Sequence, residues 1–413
     1  MTRLGKQSGF TDRLRDITPA RLALTMLTAM SSNDVETLAD LQRMFVALTG
    51  VQISYKPFHN QLSKQEFADF MRQVLEHMLG TLAVSVLRPV AGSPLAQFTD
   101  IVLQDGSSFA IKDILAERFP GRFTATSPAA IELHATMSVF EDRIMRITLA
   151  ADSQGERDFL PAPGSLKGIL ELADRGYEDR DYFVRVDAAG GFFVIRVKCN
   201  ANPKVKECWL ADGKVRAFAG KRLNEFRAKL AGQNADLLVT HRHAGRDFVY
   251  RLVLIWNPLH KTHMVLATNL DAAEFAPTLV RTIYAVRWQV ELAFKEWKSY
   301  ANLHKFNTSK TAIVEGTIWA SLAAALLKRF LAQAAQRVHD VATSTRKAAM
   351  CVGSHVVQIV KGLLGRVPPA DAFAEALDFL AHNAKRDNRK RDKKDGRLAA
   401  GLEEVMQHAI LST

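Results

Sequence analysis

The sequence YAVRWQVELAFKEWK, residues 284–298, has the spacing of an α-helix with one charged side and one apolar side. Polar groups fall at its positions 0, 3, 7, 11 and 14, and at about 100° per residue these positions share one side of a helix. That side carries Tyr284, Arg287, Glu291, Lys295 and Lys298. The other side is expected to pack against a sheet and hold the charged side rigidly, and it carries Val290, Ala293, Phe294 and Trp297.

A stripe of this kind has two interpretations. On an anonymous helix it is more often a solvated face whose charges form ion pairs. Here a Tyr and an Arg accompany one carboxylate on a helix that is apolar elsewhere, which favours a phosphate site in which Arg and Lys hold phosphate oxygens while the acid binds a metal ion. Trp288 is expected to pack within the same helix.

Short β-type runs precede this helix. Strand, crossover and strand in succession predict α/β character. The predicted strands are Phe98–Gln104, Ile131–Val139, Arg143–Ala150, Gly168–Ala173 and Gly191–Lys198, with a helix or turn over Glu178–Asp187. Residues 201–277 contain further strands separated by turn-forming residues and are interpreted as a β-strand insertion.

Helical periodicity dominates both ends of the chain. It runs from about Thr18 to Leu87, and it returns at Leu279 and continues nearly to the end, with an interruption at Arg366–Pro369. The run Lys385–Arg397 is densely charged, with a solvated linker as the leading interpretation and a DNA contact as the alternative. The most apolar window, Ile318–Leu327, is shorter than the ~20 residues that span a bilayer and predicts a buried helix.

Composition restricts the class of protein. The 413 residues are 48% hydrophobic, which predicts a globular chain of two or three domains. Lys and Arg exceed Asp and Glu by 55 to 43, and the resulting charge of +12 favours a polyanionic partner such as DNA. The cysteines Cys199, Cys208 and Cys351 lack the spacing of a zinc site, and the start of the chain lacks a signal-peptide core, so a reduced cytoplasmic protein is expected.

The spacing Tyr284-x2-Arg287-x3-Glu291-x6-Lys298 resembles the signature of the IS-four family of bacterial insertion-sequence transposases. Two further stretches, LATNL at residues 266–270 and ADRGY at residues 173–177, resemble that family as well. The resemblance can be followed over roughly residues 95–330. It implies a catalytic triad of two aspartates and this glutamate.

The resemblance places the two aspartates at Asp105 and Asp174. Asp105 lies in Asp-Gly-Ser where a β-run ends, although Asp-Gly alone more often marks a hairpin turn. Asp174 follows the strand that ends at Ala173, where a helix cap is the alternative role. Asp100 and Asp113 fit less well because they do not end the run. Carboxylates at the carboxyl ends of strands converge on a crevice and can hold hard cations.

The resemblance implies an α/β fold of the RNase H-like type, a mixed sheet flanked by helices and interrupted by a β-rich insertion, with helical terminal regions. The expected division is 1–88, a helical DNA-binding module; 89–200, the first part of the core; 201–277, the β insertion; 278–335, the second part of the core with the Glu291 helix; and 336–413, a helical region with a basic tail.

The implied activity is cleavage of DNA at transposon ends and strand transfer into target DNA, with two Mg²⁺ ions, replaceable by Mn²⁺, held by Asp105, Asp174 and Glu291. Tyr284, Arg287, Lys295 and Lys298 would bind DNA phosphates. The expected partners are terminal inverted repeats, target DNA and a second copy of the chain on paired ends, in the bacterial nucleoid and without a membrane. The alternatives are a metal-dependent endonuclease that does not join and a descendant that only binds DNA.

Two other possibilities are set aside. The pairs His241/His243 and His260/His263 have no cysteine or acid nearby in the sequence, so no zinc site is predicted. A phosphate-binding loop is absent from the sequence, which argues against nucleotide hydrolysis. Some relatives in the resembled family close a DNA hairpin with a stacking tryptophan, and His263-Met264 stands at that place here.

Overall fold

Helices form both ends of the chain and strands form its middle, as the two hydrophobic periods predict. The computed structural model describes residues 1–11, 16–32, 35–82, 89, 92–198, 200–303 and 308–386. The α-helices of this part are α1 Thr2–Gln7, α2 Pro19–Ser31, α3 Leu38–Thr49, α4 Tyr55–Leu62, α5 Gln65–Thr81, α6 Arg180–Ala188, α7 Pro277–Ala285, α8 Trp288–Tyr300, α9 Thr311–His339, α10 Thr345–Cys351, α11 Gly353–Leu363 and α12 Pro369–Asn383. The strands are β1 Asp100–Ala110, β2 Ala130–Ser138, β3 Arg143–Ala151, β4 Ile169–Ala173, β5 Phe192–Val197, β6 Lys204–Leu210, β7 Gly213–Lys214, β8 Ala235–His243, β9 Arg246–Asn257 and β10 Thr262–Thr268.

All of these strands join one mixed sheet in the order β3-β2-β1-β4-β5-β10-β9-β8-β6-β7. Strands β1, β2 and β3 are antiparallel, whereas β4 pairs in parallel with both β1 and β5. Strand β10 then pairs antiparallel with β5 and begins the extension formed by the predicted insertion. The insertion therefore lengthens the central sheet.

The predicted limits of β2, β3, β4 and β5 hold to within one residue. Strand β1 is the exception, since it was expected to end before Asp105 and runs on to Ala110. The reason is its pairing with β2, which continues through Asp105↔Ala135 as far as Ala110. The Asp-Gly pair is therefore within a strand and forms no hairpin turn.

The helix predicted over residues 284–298 is in fact two. Helix α7 ends at Ala285 and α8 begins at Trp288, and at the junction the Arg287 N–H donates to Tyr284 O and the Val290 N–H donates to Arg287 O, at 3.1 and 3.2 Å. These bonds span three residues, so the chain tightens into a 3₁₀-type turn between the two helices.

Two hydrophobic cores cover the two faces of the sheet. On one face, Leu103 of β1 shares a core with Met26 of α2, Phe70 of α5 and Ile318 of α9. The other face is covered by a second core around α6 and the extension, which includes Phe183. The proposed domain boundary at residue 88 stays a prediction, because this packing does not test it. The charged run Lys385–Arg397 lies outside the described residues from residue 387 onward, as does Cys199.

Helix α9 is long and apolar enough to cross a membrane, but 78% of its apolar window is buried inside the protein. The prediction of a buried helix is confirmed, but the buried stretch is longer than the window Ile318–Leu327. Lys328, the next residue, is itself buried, and its ammonium lies 3.4 Å from Ala349 O. A core helix has this length and composition too.

A buried arginine fixes the extension to the helices that carry residues 284–298. The Arg251 guanidinium of β9 donates to both carboxylate oxygens of Asp236, at 2.7 and 2.6 Å, and its Nη1 donates to Phe275 O at 2.7 Å, just before α7. The side chain of Arg251 is only 3% exposed, so its charge depends on these partners for the solvation lost on folding.

We expect Arg251→Met to lower the free energy of unfolding by about 3–5 kcal/mol, because it leaves the Asp236 carboxylate buried without its cation. Denaturant titration measures the change. Arg246→Met on the same strand is the matched control and should change stability by less than about 0.5 kcal/mol, since Arg246 is exposed. Equal stabilities for the two variants would contradict the assigned role of Arg251.

Candidate active site

The three acids singled out from the sequence line one cleft. Asp105 lies on β1, Asp174 follows β4 directly and Glu291 lies in the first turn of α8. The parallel register ends at Gln104↔Ala173, so one further step places Asp105 opposite Asp174. The cleft has a volume of about 350 Å³, and its lining is Asp105, Gly106, Ser107, Asp174, Arg287, Glu291, Phe294, Lys295 and Lys298.

Arg287 lies between two of the acids. Its Nη1 donates to Asp105 Oδ2 at 2.9 Å, and its Nη2 donates to Glu291 Oε1 at 2.5 Å. The guanidinium carbon is 5.7 Å from the centre of the Tyr284 ring, and the side chain is 11% exposed. One cation thus holds carboxylates from β1 and α8 at the base of the cleft.

Asp174 has its own partners. Tyr284 donates its hydroxyl to Asp174 Oδ1 at 3.2 Å, and the Arg196 guanidinium of β5 is 3.6 Å from the same oxygen. Sequence reasoning missed Arg196. The signal was present, because Arg196 is the single charged residue within the otherwise apolar strand β5.

The two lysines of the motif differ from Tyr284 and Arg287 in their surroundings. Lys295 and Lys298 line the cleft and make no carboxylate ion pair there among the described residues, whereas Tyr284 and Arg287 are buried against acids. Trp288 contacts a residue of its own helix but is not buried. It is 48% exposed, and the Lys295 ammonium lies 4.0 Å from its ring centre.

The apolar side of α8 is placed as predicted. Its members Val290, Ala293, Phe294 and Trp297 are all buried. They hold the helix against β1 and β2, which fixes Glu291 over the strand that carries Asp105. This packing supplies the rigidity that a positioned acid requires.

The environment of Asp105 favours a bound cation. Burial raises the pKa of Asp105 to about 6, and the Arg287 guanidinium acts in the opposite direction. The charges of Glu291 and Asp174, which line the same cleft, raise this pKa further. A second positive charge at this place would stabilise the ionised form.

A buried polar network lies behind Asp105 on the reverse face of β1. His134 Nδ1 is 3.0 Å from the Tyr177 hydroxyl, and Glu132 Oε2 is 3.3 Å from Arg122 Nη2. Burial lowers the pKa of His134 to about 4 and raises that of Glu132 to about 7. The alternation of Glu132 and His134 with apolar residues in β2 was the sequence signal for this network, and it was missed.

Gly106 is required where this network meets β1. A Cβ added there would lie 2.7 Å from Glu132 Oε1, 3.0 Å from His134 Nδ1 and 3.2 Å from the Tyr177 hydroxyl. The glycine next to Asp105 therefore makes room for polar side chains on the opposite face of the sheet.

The three acids do not form a closed ligand set in this structure. In the part of the chain that the structure describes, only Asp181, His241 and His243 bring three ligand atoms within 4.8 Å of one another. The Arg287 guanidinium accounts for the difference, since it occupies the space between Asp105 and Glu291. Three carboxylates with oxygen donors and a positive charge already among them fit hard divalent cations.

The Asp181 cluster also corrects the sequence analysis. An acid was expected to be missing near His241 and His243, and Asp181 provides one. His263 is placed differently, since its Nε2 is 2.9 Å from Gln233 O and its ring contacts Trp256.

Comparison with known proteins agrees with this geometry. The family model described as transposase DDE domain matches residues 96–327. The chain is 21% identical over 350 residues to the transposase for insertion sequence element IS1151 of Clostridium perfringens, which covers 75% of this chain and 73% of that protein. It is 20% identical over 361 residues to the IS231B transposase of Bacillus thuringiensis subsp. berliner, with coverage of 78% and 74%. A shorter match, 25% over 191 residues, is to the putative transposase InsL for IS186A of Escherichia coli K12, with coverage of 38% and 50%.

The mixed sheet, the flanking helices and the acidic cleft define an α/β protein of the RNase H-like class. The chain belongs to the transposase DDE domain family and is a DDE-type DNA transposase of the insertion-sequence kind. Its partner is DNA, and its activity depends on a divalent metal ion. The resemblance drawn from the sequence is confirmed at this level, and the IS-four family is consistent with it. The Tyr-Arg-Glu-Lys signature stays a prediction.

We expect Gly106→Ala to destabilise the protein by about 1–3 kcal/mol, because the added methyl group displaces the network against β1. Its cleavage activity should fall as well, since the displaced strand carries Asp105. Gly164→Ala is the matched control, as a Cβ there meets nothing within 4 Å. Denaturant titration of both variants measures the effect, and a Gly106→Ala protein as stable as the control would show that the network yields without strain.

A second buried acid lies behind Asp174 on β4. The Tyr182 hydroxyl is 3.0 Å from both Pro161 O and Glu171 Oε2, and Glu171 Oε1 has no hydrogen-bond partner in the structure. A single hydroxyl hydrogen serves one acceptor, so a protonated Glu171 that donates to the Tyr182 oxygen satisfies both contacts. In agreement, burial raises the pKa of Glu171 to about 8.

Glu171 should make stability depend on pH. Below its ordinary pKa of 4.5 the carboxyl is protonated in the folded and the unfolded chain, and between there and about 8 only the folded chain keeps the proton. Unfolding then releases a proton, so this contribution to stability is present below pH 4.5 and is lost as pH rises towards 8. Glu171→Gln should match the wild type near pH 5 and exceed its melting temperature increasingly up to pH 8.5. A difference that does not change with pH would contradict the protonated state.

Proposed function

We propose that this transposase cleaves phosphodiester bonds at transposon ends and transfers the released strand into target DNA, with Asp105, Asp174 and Glu291 as the metal ligands. The observation that supports this most directly is the convergence of these acids from β1, β4 and α8 on one cleft, with Arg287 between Asp105 and Glu291. Acids that are far apart in sequence and brought together in a cleft favour a functional site over a surface ion pair.

The proposed cofactor is Mg²⁺, in two ions, with Mn²⁺ as a substitute. When bound, such ions activate the entering oxygen and stabilise the leaving one in an in-line displacement at phosphorus. The donor set suits them because it consists of carboxylate oxygens and leaves space for phosphate and water. Arg287 already shows that the cleft accepts positive charge.

Each remaining residue of the motif has a proposed task. Lys295 and Lys298 bind DNA phosphates directly, since both line the cleft. The Tyr284 hydroxyl orients Asp174, and the Arg287 guanidinium orients Asp105 and Glu291. The same hydroxyl and guanidinium also contact an incoming phosphate. The scissile bond is then held in place by cations while the acids stay fixed.

The wider assembly follows the same proposal. The helices before residue 88 recognise terminal inverted repeats, and the helices after residue 336 contribute to pairing of two ends by a dimer on DNA. The net charge of +12 supports long-range attraction to DNA. The proposed place of action is the bacterial nucleoid in the cytoplasm.

We expect Asp105→Asn to lower the rate of cleavage of an end-containing duplex by about three orders of magnitude, which corresponds to about 4 kcal/mol of transition-state stabilisation. Binding of the same duplex should change little, because phosphate contacts come from basic residues. Gel-resolved cleavage with Mg²⁺ or Mn²⁺ and a binding titration in Ca²⁺ separate the two effects. Removal of metal with a chelator should stop cleavage by the wild type, and added Mg²⁺ should restore it.

Asp113→Asn is the matched control. Asp113 lies three residues after the end of β1, is exposed and does not line the cleft. Joining is measured separately, by incubating the wild-type protein with pre-cleaved transposon ends and a target plasmid and detecting strand transfer into the plasmid. Cleavage by Asp105→Asn at the wild-type rate would refute the ligand assignment, and cleavage without joining by the wild type would refute the transfer step.

A further inference from the structure

A second group of potential ligands lies away from the acidic cleft, between the start of α6 and the β8–β9 hairpin. His241 and His243 are two residues apart on β8 and therefore project from the same face of the strand. Asp181 lies in the first turn of α6 and faces them. None of these three residues lines the cleft around Asp105.

The three side chains converge on one point. Asp181 Oδ1 is 3.0 Å from His241 Nε2 and 2.6 Å from His243 Nδ1, and the three ligand atoms lie within 4.8 Å of one another. In a tetrahedral zinc site with bonds of about 2.0–2.1 Å, neighbouring ligand atoms are about 3.3 Å apart. The observed separations need only a small opening to reach that value.

The backbone on both sides holds these groups in place. His243 is followed by Ala244 and Gly245, whose positive φ angles of 46° and 80° form a tight two-residue hairpin. On the other side, Asp179 caps α6 by accepting the N–H groups of Asp181 and Tyr182 at 2.9 and 3.1 Å. The ligands are therefore presented from rigid elements.

We propose that Asp181, His241 and His243 form a zinc site distinct from the catalytic cleft. Two imidazole nitrogens and one carboxylate oxygen are a preferred donor set for Zn²⁺, whereas Mg²⁺ prefers oxygen donors alone. The side chains are partly exposed, Asp181 to 60%, His241 to 21% and His243 to 34%. Water therefore has room to complete the coordination. The ion would connect α6 to the β extension. Helix α6 is the first α-helix after β4 and Asp174.

The three proposed ligands do not form a recognisable motif in the sequence. Asp181 is 60 residues before His241, so no local motif contains the full set. The fold supplies the third ligand because α6 packs against β8. Both imidazoles bond to the same Asp181 oxygen, and the hydrogen bonds from His241 and then His243 lower the pKa of that carboxyl.

The test is calorimetric titration of Zn²⁺ into the full-length chain without a histidine tag, in excess Mg²⁺ so that the carboxylate cleft is already supplied. We expect one Zn²⁺ per chain, and we expect His243→Ala and the double variant His241→Ala/His243→Ala to weaken binding by about 100-fold or more. Asp181→Asn should weaken binding by at least about tenfold. Co²⁺ in place of Zn²⁺ should give visible absorption bands that the double variant loses.

His260→Ala is the matched control, since His260 is exposed on another hairpin and should leave Zn²⁺ binding unchanged. Circular dichroism of each variant without zinc checks that it folds. Equal Zn²⁺ affinity for the wild type and the double variant would overturn the proposal, as would binding that is lost in Asp105→Asn but kept in the double variant. The first result would leave the proposed ligands of the catalytic cleft unaffected, whereas the second would locate the zinc at Asp105 and agree with its assignment as a metal ligand.

Discussion

Carboxylates that are brought into one half-buried cleft repel one another, and a cation between them is the condition for their convergence. Arg287 meets this condition by bonding to Asp105 of β1 and Glu291 of α8 at once. The guanidinium also explains why the acids line a common cleft without closing on a common point. On the proposed assignment, metal binding exchanges part of the Arg287 contact for stronger cation contacts, so the same charge balance serves folding and catalysis.

The pairing of β1 determines where this convergence occurs. From Val102 to Gln104 the strand is paired with both β2 and β4, and from Asp105 onward it keeps β2 and loses β4. The loss of β4 opens the crevice into which Asp105 and Asp174 project, while β2 keeps the strand straight. The reverse face of the same segment is filled by Glu132, His134 and Tyr177, and only glycine at position 106 leaves them room.

Much of this fold could be predicted because its signals are local. Short β-type runs located β2, β3, β4 and β5 to within a residue, and the apolar arc of α8 is buried as expected. The end of β1 could not be predicted, since it depends on pairing with β2. The break before α8 and the exposure of Trp288 were not predicted either. Arg196 and Glu132 stand out in the sequence as charges within apolar strands, but their partners, like those of Asp181, are far away along the chain and could not be identified from it.

The extension of the sheet is more than an added layer. Strand β10 pairs with β5, which carries Arg196 beside Asp174, and β9 carries Arg251, whose Nη1 bonds to Phe275 O just before α7. The inserted strands thus connect the second acid to the helices that carry the third. A displacement of β9 or β10 would change the distance between Asp174 and Glu291 without touching either residue, so the extension is part of the framework that sets the geometry of the cleft.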